Sequence, residues 1–544
     1  MRSHGPQPRR VSPAEWRFVA GVGALVVACT SIPYVLAALQ AGNGRVFGGF
    51  VYAVEDGYSY LANMRQGAEG AWLFHIPYTS EPHPGALVYP FHLLLGKCAR
   101  LLPGADLTAR LVWTYHGARV IFGLVLLGMV YRFIAAFTDR PAVRRLAWLW
   151  VAIGGGLGWL LILVGQPGWL GSMPLDWILP EGFTFLVLYG FPHIALARTL
   201  LLGGMLALVR GWGGGTRPLG WGALAGLAWL LMGLIVPFYV AVAWAVIGAT
   251  WAVECIVRRH VAWWDGLQAS LAAAISLPAL AYHAWLFTTQ PVYAAWAAQN
   301  QIRSPHPLHY LAAYGLLLVL AALGLRRRAR SPLRGAAPGR LLPLVWVAIV
   351  PALVYLPFNL QRRLAEGVQV PLSLLAALGL LSGRLRGLGL RLALSATFAA
   401  LVLTPVLLVV GNCLALRGLP APIYRDAGEV AVLDWLAGRV RSDDVVLSSY
   451  ATGNYLPVRV GARAFVGHGP ETVRSAQKRA LAERFFAAAS DDAWRRALLD
   501  EHGVDYVFWG PAERAGGADI SSAPYLRPLY RDASGDTIVF EVLP

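Results

Sequence analysis

Acidic, histidine and arginine side chains collect on one side of the membrane body that this sequence predicts. Glu55 and Asp56 follow the first long apolar run by about fifteen residues, and Arg362 and Arg363 lie between two later apolar runs. Because acids near a bilayer are costly to bury, they tend to face a cavity, a metal ion or water. This arrangement predicts chemistry at one membrane face, on something that the membrane holds.

Each of these features also has a structural interpretation. Asp56 can cap a helix that begins near Tyr58, because aspartate is a good N-cap residue. Arg362 and Arg363 can anchor a helix at the interface, and His193 can form a hydrogen bond at the outer start of a helix. For the arginine pair the functional interpretation is favoured, since arginines are otherwise rare on this side of the membrane.

The composition predicts a polytopic α-helical membrane protein. The 544 residues are 57% hydrophobic and 14% charged, whereas a soluble fold carries about 25% charged residues. The net charge of +17 does not indicate nucleic-acid binding, because the arginines lie in short loops between apolar runs. The four cysteines are scattered, so they predict neither a metal site nor a disulfide framework.

Apolar runs of roughly 20 residues can cross a hydrocarbon core as helices. The basic segment 1–17 precedes the first of them without a small-residue cleavage site, which favours a retained first helix over a removed signal peptide. We place eleven spans, near residues 17–39, 111–137, 144–165, 190–210, 218–235, 237–257, 266–289, 308–325, 341–357, 368–383 and 388–412.

Arginines orient these spans, because cytoplasmic loops carry an excess of positive charge. They concentrate in alternate loops, which favours an odd number of spans and a cytoplasmic N-terminus. The C-terminal segment is then extracytoplasmic, and the expected location is a bacterial plasma membrane. The cytoplasmic set is Arg140, Arg144, Arg145, Arg210, Arg217, Arg258, Arg259, Arg326, Arg327, Arg328, Arg330, Arg334, Arg340, Arg384, Arg386 and Arg391.

Two outer segments are too long to be simple turns. Residues 42–110 form a first outer loop, in which 58–68 and 86–101 predict helices that lie on or dip into the interface. From about residue 420 the composition becomes that of a soluble α/β domain, so the predicted domains are 1–419 and 420–544. The second is expected to contain helices at 425–440, 473–488 and 491–502 and strands at Val445–Ser449, Ala464–Gly467, Tyr506–Gly510 and Thr537–Val542.

Several short motifs lie in the outer segments. They are Glu55-Asp56-Gly57-Tyr58 with Pro77-Tyr78, Glu81 and His83; Glu181-Gly182-Phe183 with Phe191-Pro192-His193; Gln361-Arg362-Arg363 with Glu366-Gly367; and Gly467-His468 with Glu471-Thr472 and Lys478. This pattern resembles the GT-C superfamily of membrane glycosyltransferases, whose relatives include protein O-mannosyltransferases and the catalytic subunits of oligosaccharyltransferases. The resemblance extends over nearly the whole chain. Trp263-Trp264-Asp265 has the letters of an oligosaccharyltransferase signature but lies in a cytoplasmic loop, which argues against asparagine glycosylation.

The resemblance implies a sugar donor carried on a polyprenyl phosphate, and transfer to an acceptor at the extracytoplasmic face. Asp56, with Glu55 beside it, matches the family position of the catalytic base or metal ligand. A carboxylate can take the acceptor's hydroxyl proton, and guanidinium groups can bind the leaving phosphate. The expected substrate-binding residues are Arg362, Arg363, His193, Gln361, Glu81, His83, His468 and Glu471.

The sequence leaves the metal, the acceptor and two other classes of function open. Asp56, Asp176 and Glu181 are candidate ligands for a hard divalent ion such as Mg²⁺ or Mn²⁺, and His75 and His92 can shape an acceptor cleft. The acceptor can be a protein, a lipid or a glycan. A transporter or flippase of lipid-linked saccharides is the first alternative, although such sites usually lie near the membrane midplane. A non-catalytic assembly protein on the same scaffold is the second.

Overall fold

Long helices make up most of the chain. The computed structural model describes residues 10–212, 218–328, 338–382 and 385–544, so Arg217, Arg330, Arg334 and Arg384 of the predicted cytoplasmic loops lie outside it. The helices before residue 416 are α1 (Pro13–Gln40), α2 (Val54–Ala68), α3 (Pro90–Arg100), α4 (Leu107–Phe137), α5 (Pro141–Ile153), α6 (Gly158–Leu163), α7 (Leu175–Ile178), α8 (Thr184–Gly190), α9 (Pro192–Trp212), α10 (Pro218–Ile235), α11 (Phe238–Arg258), α12 (Trp263–Thr289), α13 (Pro291–Gln299), α14 (Pro307–Arg328), α15 (Leu342–Leu353), α16 (Gln369–Leu381) and α17 (Gly387–Ala415).

Eight helical segments among the described residues are long and apolar enough to cross a membrane. They coincide with eight of the predicted spans, and three shorter apolar helices coincide with the other three: Leu219–Ile235, Leu342–Leu353 and Gln369–Leu381. The chain is therefore a multi-pass helical membrane protein. The count of eleven spans and the orientation of the termini stay predictions.

The described residues form two compact units. The first is drawn from Met1–Ser31, Ala118–Ala284 and Ile302–Gly411, and the second from Ile32–Gly117, Trp285–Gln301 and Asn412–Pro544. The second unit thus contains both the predicted first outer loop and the C-terminal segment. The proposed domain boundary at residue 420 stays a prediction.

In the first unit, α9 is the most enclosed of the eight candidate spans, with 78% of its apolar window buried. Tryptophans fill much of this interior: Trp148, Trp229 and Trp346 are fully buried. Large aromatic side chains make many dispersion contacts at once, so they hold neighbouring helices at fixed distances. The central helix carries two side chains of the candidate site, His193 and Arg198.

In the second unit, α2 and α3 pack at glycine contacts. A Cβ atom on Gly67 would lie 2.0 Å from the carbonyl oxygen of Leu93, and one on Gly96 would lie 1.8 Å from that of Met64. Only glycine allows so close an approach of two backbones. These contacts fix the position of α2, whose first turn contains Glu55 and Asp56.

The C-terminal segment contains a five-stranded mixed sheet with helices. Its strand order is β4-β3-β5-β7-β6, with β3 parallel to β4 and β5, and β7 antiparallel to β5 and β6. A separate antiparallel pair, β1 with β2, joins the first outer loop to residues 424–426. The elements are α18 (Ala427–Ala437), α19 (Tyr450–Arg459), α20 (Ser475–Phe485), α21 (Asp492–Glu501), α22 (Pro511–Arg514), β1 (Arg45–Phe47), β2 (Tyr424–Asp426), β3 (Val445–Leu447), β4 (Arg463–Ala464), β5 (Tyr506–Trp509), β6 (Leu526–Arg531) and β7 (Ile538–Val542).

The predicted α/β character of this segment is confirmed, although the sequence did not predict four of its elements: β2, α19, α22 and β6. Every helix and strand predicted after residue 420 has a counterpart, although the strand expected at Ala464–Gly467 reduces to β4. β6 was missed because only Leu526 of its six residues is buried. The sequence analysis also missed α19, which holds Gly453 and Pro457 within ten residues. Both residues have low helix propensity, so the helix depends on tertiary packing.

Candidate active site

Glu55 and Asp56 lie in the first turn of α2, which begins at Val54. The expectation that Asp56 caps a helix starting near Tyr58 is therefore wrong, because the helix starts four residues earlier. Ala53, which precedes it, has a left-handed backbone with φ 48°, a conformation that costs an L-residue roughly 1–2 kcal/mol. Carboxylates in a first turn are favoured by the partial positive charge of the helix N-terminus.

His468 lies between Asp56 and a second carboxylate, Glu471. Its Nε2 is 3.3 Å from Oδ1 of Asp56, and its Nδ1 is 3.3 Å from Oε1 of Glu471. The Asp56 side chain is 47% exposed, whereas those of His468 and Glu471 are 9% and 1% exposed. A reactant can therefore reach Asp56, while the other two side chains support it from behind.

Two hydroxyl groups complete the surroundings of Glu471. Ser59, one turn after Asp56 on α2, donates to Oε1 of Glu471 at 2.8 Å, and Tyr89 donates to the same oxygen at 3.4 Å. A buried carboxylate needs such partners, because an unpaired buried charge is strongly unfavourable. The first outer loop and the C-terminal segment thus build this site together.

The two carboxylates keep His468 protonated. Burial lowers the pKa of His468, but Glu471 and Asp56 outweigh it and raise the pKa from 6.5 to about 10. The ring is consequently an imidazolium at neutral pH and donates from both nitrogens. A cation beside Asp56 also favours the ionised form of that carboxylate.

Tyr450, the first residue of α19, holds Glu55. Its hydroxyl donates to Oε2 of Glu55 at 3.1 Å and accepts from the backbone N–H of Gly469 at 3.1 Å. The Arg479 guanidinium lies 3.6 Å from the centre of the Tyr450 ring. Burial and the Glu55 carboxylate raise the pKa of Tyr450, so the hydroxyl stays a donor. The sequence offered no signal for Tyr450 beyond its place after a predicted strand.

Glu81 and His83 have contacts within the second unit that hold the outer loop. Nζ of Lys478 lies 2.6 Å from Oε2 of Glu81 and 2.8 Å from Oγ of Ser80, and its side chain is 2% exposed. Burial tends to raise the pKa of Glu81, but Lys478 outweighs it and the pKa is lowered. His83 accepts from the N–H of Ile76 at 2.8 Å through Nε2, which leaves Nδ1, 2.9 Å from the Glu81 carbonyl, as the donor.

The two other histidines of this loop differ in environment. His92 is buried and stacks on Tyr60, with ring centroids 4.7 Å apart and an interplanar angle of 10°. His75 is exposed, and its backbone N–H and carbonyl are both bonded to the side-chain amide of Gln66. Neither contact gives the histidine a catalytic role, so we assign both histidines to holding the shape of the outer loop.

In the first unit, Arg363 pairs with Glu181. Nε of Arg363 lies 3.4 Å from Oε1 of Glu181, and the two side chains are 36% and 3% exposed. Gln361 is fixed by the N–H of Ser304 at 3.1 Å and by the carbonyl of Leu356 at 2.9 Å. The Arg363 guanidinium is thus partly exposed beside a buried carboxylate.

A buried ion pair that the sequence analysis missed supports this pair. Nε of Arg198 lies 2.5 Å from Oε1 of Glu366, and both side chains have zero exposure. Arg198 also donates to the carbonyl oxygen of Glu181 at 2.7 Å, and the N–H of Gly367 donates to that same oxygen at 2.9 Å. Arg198 was missed because apolar residues surround it in the predicted span 190–210. An arginine within a predicted span nevertheless indicates a buried partner or a functional role.

His193 and Asp176 are both buried in the first unit. His193 lies at the start of α9, with its ring edge-on to Phe191 at 6.0 Å. Oδ2 of Asp176 accepts from the N–H of Gly156 at 2.9 Å and from Thr404 at 2.6 Å. It thereby satisfies backbone donors at the break between α5 and α6, which is a structural role.

The candidate metal ligands do not form a cluster. Among the described residues, no group of three or more His, Cys, Asp or Glu side chains is arranged to hold a metal ion. Asp56 belongs to the second unit, whereas Asp176 and Glu181 belong to the first. The imidazolium of His468 contacts Asp56.

Solved structures of two membrane glycosyltransferases resemble this chain. The oligosaccharyltransferase of Archaeoglobus fulgidus, solved with a tethered acceptor peptide, has a TM-score of 0.51 and 13% identity, and the match covers 96% of this chain and 74% of that one. ArnT of Cupriavidus metallidurans in the apo state has a TM-score of 0.50 and 14% identity, with 97% and 98% covered. No protein-family model matches the sequence, and no curated protein matches it significantly. The two structures are GT-C glycosyltransferases, so the chain has the GT-C fold, as the sequence resemblance predicted.

Proposed function

We propose that this protein is an integral-membrane glycosyltransferase that moves a sugar from a polyprenyl-phosphate carrier to an acceptor at the extracytoplasmic face. The observation that carries the proposal is the half-exposed Asp56 carboxylate at the start of α2, held by the protonated His468. The GT-C fold supports the same reaction class, and the sequence resemblance supports the lipid-linked donor. The alternative of a non-catalytic scaffold does not account for a charged histidine aimed at an exposed carboxylate.

Asp56 is the proposed catalytic base. Its carboxylate accepts the proton of the acceptor hydroxyl, and the hydroxyl oxygen forms a bond to the anomeric carbon of the sugar. The bond from that carbon to the phosphate oxygen breaks, and the polyprenyl phosphate leaves with the electron pair. Attack from the face opposite the leaving group inverts the anomeric configuration. Correctly placed bases of this kind contribute typically 10²–10⁴-fold to rate.

His468 and Glu471 are the proposed positioning residues. The imidazolium fixes the orientation of the Asp56 carboxylate and keeps it ionised, which a base requires before each turnover. Glu471 in turn holds the ring through its second nitrogen. Glu55 is assigned the same supporting role, because the hydroxyl of Tyr450 already engages it.

Arg362 and Arg363 are the proposed ligands of the donor phosphate. Planar guanidinium groups bind phosphate oxygens in pairs and stay charged at every physiological pH. The ion pair with Glu181 orients Arg363, whose side chain is 36% exposed. Gln361 is proposed to shape the same surface, since it directly precedes Arg362. His193 is proposed to do so because it shares a motif with Glu181, the partner of Arg363.

The test is a transfer assay on the purified protein in lipid. Radiolabelled polyprenyl-phosphate sugars and a crude membrane acceptor are supplied to the wild type and to Asp56→Asn, with and without EDTA. Asp519→Asn is the matched control, because Asp519 is an exposed aspartate of the same unit whose Oδ1 accepts from the N–H and the hydroxyl of its neighbour Ser521. We expect transfer to fall by about 10²–10⁴-fold in Asp56→Asn and to persist in Asp519→Asn.

Either of two results would overturn the proposal. Transfer at the wild-type rate by Asp56→Asn would refute the assignment of Asp56 as the base. Absence of transfer from every donor would refute the assignment as a glycosyltransferase. In the second case, movement of a fluorescent lipid-linked saccharide between leaflets would establish the flippase alternative. Loss of transfer in EDTA would add a divalent ion to the mechanism.

A further inference from the structure

A second cleft in the same unit lies away from the carboxylate site. Its volume is about 510 Å³, within the roughly 300–1,000 Å³ of small-molecule sites. Ala62 and Gln66 of α2 line it together with Glu69, the residue that directly follows the helix, and with Asp443 and Arg463 of the C-terminal segment. The spacing i, i+4 and i+7 places these first three residues on one face of the helix, because the backbone of Glu69 is still helical.

The cleft uses a different face of α2 from Asp56. Ala62 follows Asp56 by six residues. At 3.6 residues per turn, this spacing places the two residues about 120° apart around the helix axis. Ten residues separate Asp56 from Gln66, or about 15 Å along the axis. The two sites are therefore distinct but share one rigid helix.

The four charged side chains that line the cleft are two cations, Arg65 and Arg463, and two carboxylates, Glu69 and Asp443, so the lining carries no net charge. Nε of Arg65 lies 2.9 Å from Oε1 of Glu69, and Arg463 donates to the backbone carbonyl oxygen of Asp443. A lining without net charge does not select a charged ligand, whereas its carboxylates, each with about four lone-pair sites, accept hydrogen bonds from a neutral one.

The histidines of the cleft reinforce this neutrality. Burial lowers the pKa of His75, and Arg463 lowers it further. Burial likewise lowers the pKa of His83, the other histidine of the lining. Both rings are neutral at pH 7, so they add hydrogen-bonding groups without adding charge.

An extended peptide fits the cleft poorly. β4 is the edge strand of the C-terminal sheet, and a peptide could add to such an edge through backbone hydrogen bonds. The N–H of Ala464 on β4 already donates to the carbonyl oxygen of Pro77 at 2.8 Å. The edge is therefore covered by the protein's own outer loop.

We propose that this cleft binds a neutral saccharide chain, and that the acceptor of the transfer is consequently a glycan. Its lining without net charge suits an uncharged ligand with many hydroxyl groups, and its walls of Ile76, Pro77, Pro82 and Val460 suit the apolar faces of sugar rings. The identification as the acceptor rests on the proposed function, whereas the binding of a saccharide does not. A chain held about 15 Å from Asp56 along α2 would be several sugars long.

Gly461 provides the means to close the cleft. A Cβ atom there would lie 3.0 Å from Oε2 of Glu69, so a larger side chain displaces that carboxylate and fills the space beside it. Gly438 is the matched control, because a Cβ atom at that position has no neighbour within 4 Å. Leucine at position 461 should block the cleft, and leucine at position 438 should not.

The experiment measures binding without turnover. Saturation-transfer NMR on the full chain, in a detergent that contains no sugar, uses mannotriose, galactotriose and N-acetylchitotriose as neutral probes. Trigalacturonate is the acidic probe, and acetyl-trialanine amide is the peptide probe. We expect at least one neutral trisaccharide to bind, with affinity about tenfold or more weaker in Gly461→Leu and unchanged in Gly438→Leu. Glu69→Gln leaves Arg65 without its carboxylate, so this variant should bind trigalacturonate more tightly than the wild type does.

Three results would overturn the inference: no neutral trisaccharide bound at millimolar concentration, equal binding by Gly461→Leu, or binding of the peptide probe alone. Should Gly461→Leu fail to fold, Glu69→Gln and the choice among probes by the wild type still decide the question. Binding by a protein whose Asp56→Asn variant is fully active would refute the proposed function and leave the saccharide cleft standing.

Discussion

Replacing His468 with glutamine tests the carboxylate site through its response to pH. The imidazolium lies 3.3 Å from both Asp56 and Glu471, and glutamine keeps a hydrogen-bonding side chain while removing the charge. Glu471, at 1% exposure, then loses its counter-charge. The variant should therefore be less stable at neutral pH, and its stability should no longer depend on the titration of residue 468.

The size of the effect follows from linkage between protonation and folding. Burial opposes the charged ring, but the carboxylates raise the pKa of His468 from 6.5 to about 10. Because the pKa is higher in the folded state, the stabilisation is complete below pH 6.5 and is lost as the pH rises through about 10. At 1.36 kcal/mol per pKa unit the full contribution is at most about 5 kcal/mol, of which about 2.5 kcal/mol disappears between pH 7 and pH 9.

Thermal unfolding in detergent at pH 7 and pH 9 measures this loss. A change of about 2.5 kcal/mol corresponds to roughly 5–10 °C in the melting temperature of a folded unit of 150–250 residues. Between pH 7 and pH 9 the melting temperature of the wild type should therefore fall by that much more than the melting temperature of His468→Gln. His502→Gln is the control, because burial lowers the pKa of His502 and moves its titration away from this range. If the melting temperatures of the wild type and of His468→Gln fall by the same amount between pH 7 and pH 9, a protonated His468 does not bridge Asp56 and Glu471.

Two further contacts give predictions. Glu366→Leu leaves the guanidinium of Arg198 buried without a counter-charge and should lower the free energy of unfolding by about 3–5 kcal/mol. Adding Arg198→Met should restore most of the melting temperature. A double variant as unstable as Glu366→Leu would contradict the ion-pair argument. Lys478→Met removes the nearer of the two cations at Glu81, so hydrogen exchange in the loop around Glu81 should accelerate. The control is Lys97→Met, because the half-buried Lys97 contacts Gly70 and Trp72 and not Glu81, and it should leave this exchange unchanged. Unaltered exchange in Lys478→Met would mean that apolar packing alone holds the loop.

Hydropathy predicted the membrane part of the fold because the signal is local. A run such as 388–412 contains in itself the apolar composition that a spanning helix needs, and the structure has α17 at Gly387–Ala415. The same is true of α2 and α3, whose amphipathic sequences indicated short helices in the outer loop. Asp56 was identifiable for a related reason, since its position follows directly from the end of the first span.

Residues whose roles depend on distant partners were not predictable in that way. His468 and Asp56 are 412 residues apart, and Arg198 and Glu366 are 168 apart. No periodicity or spacing relates such positions. The sequence resemblance brought His468 and Glu471 to attention as separate residues, but their joint contact with α2 depends on how the C-terminal segment folds.

Helix α19 illustrates how that folding is achieved. Its sequence argues against a helix, because Gly453 and Pro457 both have low propensity, yet Ser449 caps it by accepting from the N–H of Thr452 at 3.3 Å. Gly453 also permits a close approach, since a Cβ atom there would lie 1.9 Å from the carbonyl oxygen of Val466. The local cost is offset by packing that brings Tyr450 to Glu55.

The C-terminal segment therefore does more than cover a membrane enzyme. Tyr450, His468 and Glu471 all come from it, and each contacts a residue in the first two turns of α2. A chain truncated before residue 412 would retain Glu55 and Asp56 but lose the side chains that orient them. If the carboxylate is the base, the segment is part of the catalytic apparatus, because the histidine that it supplies fixes the direction of that base and places a positive charge beside it.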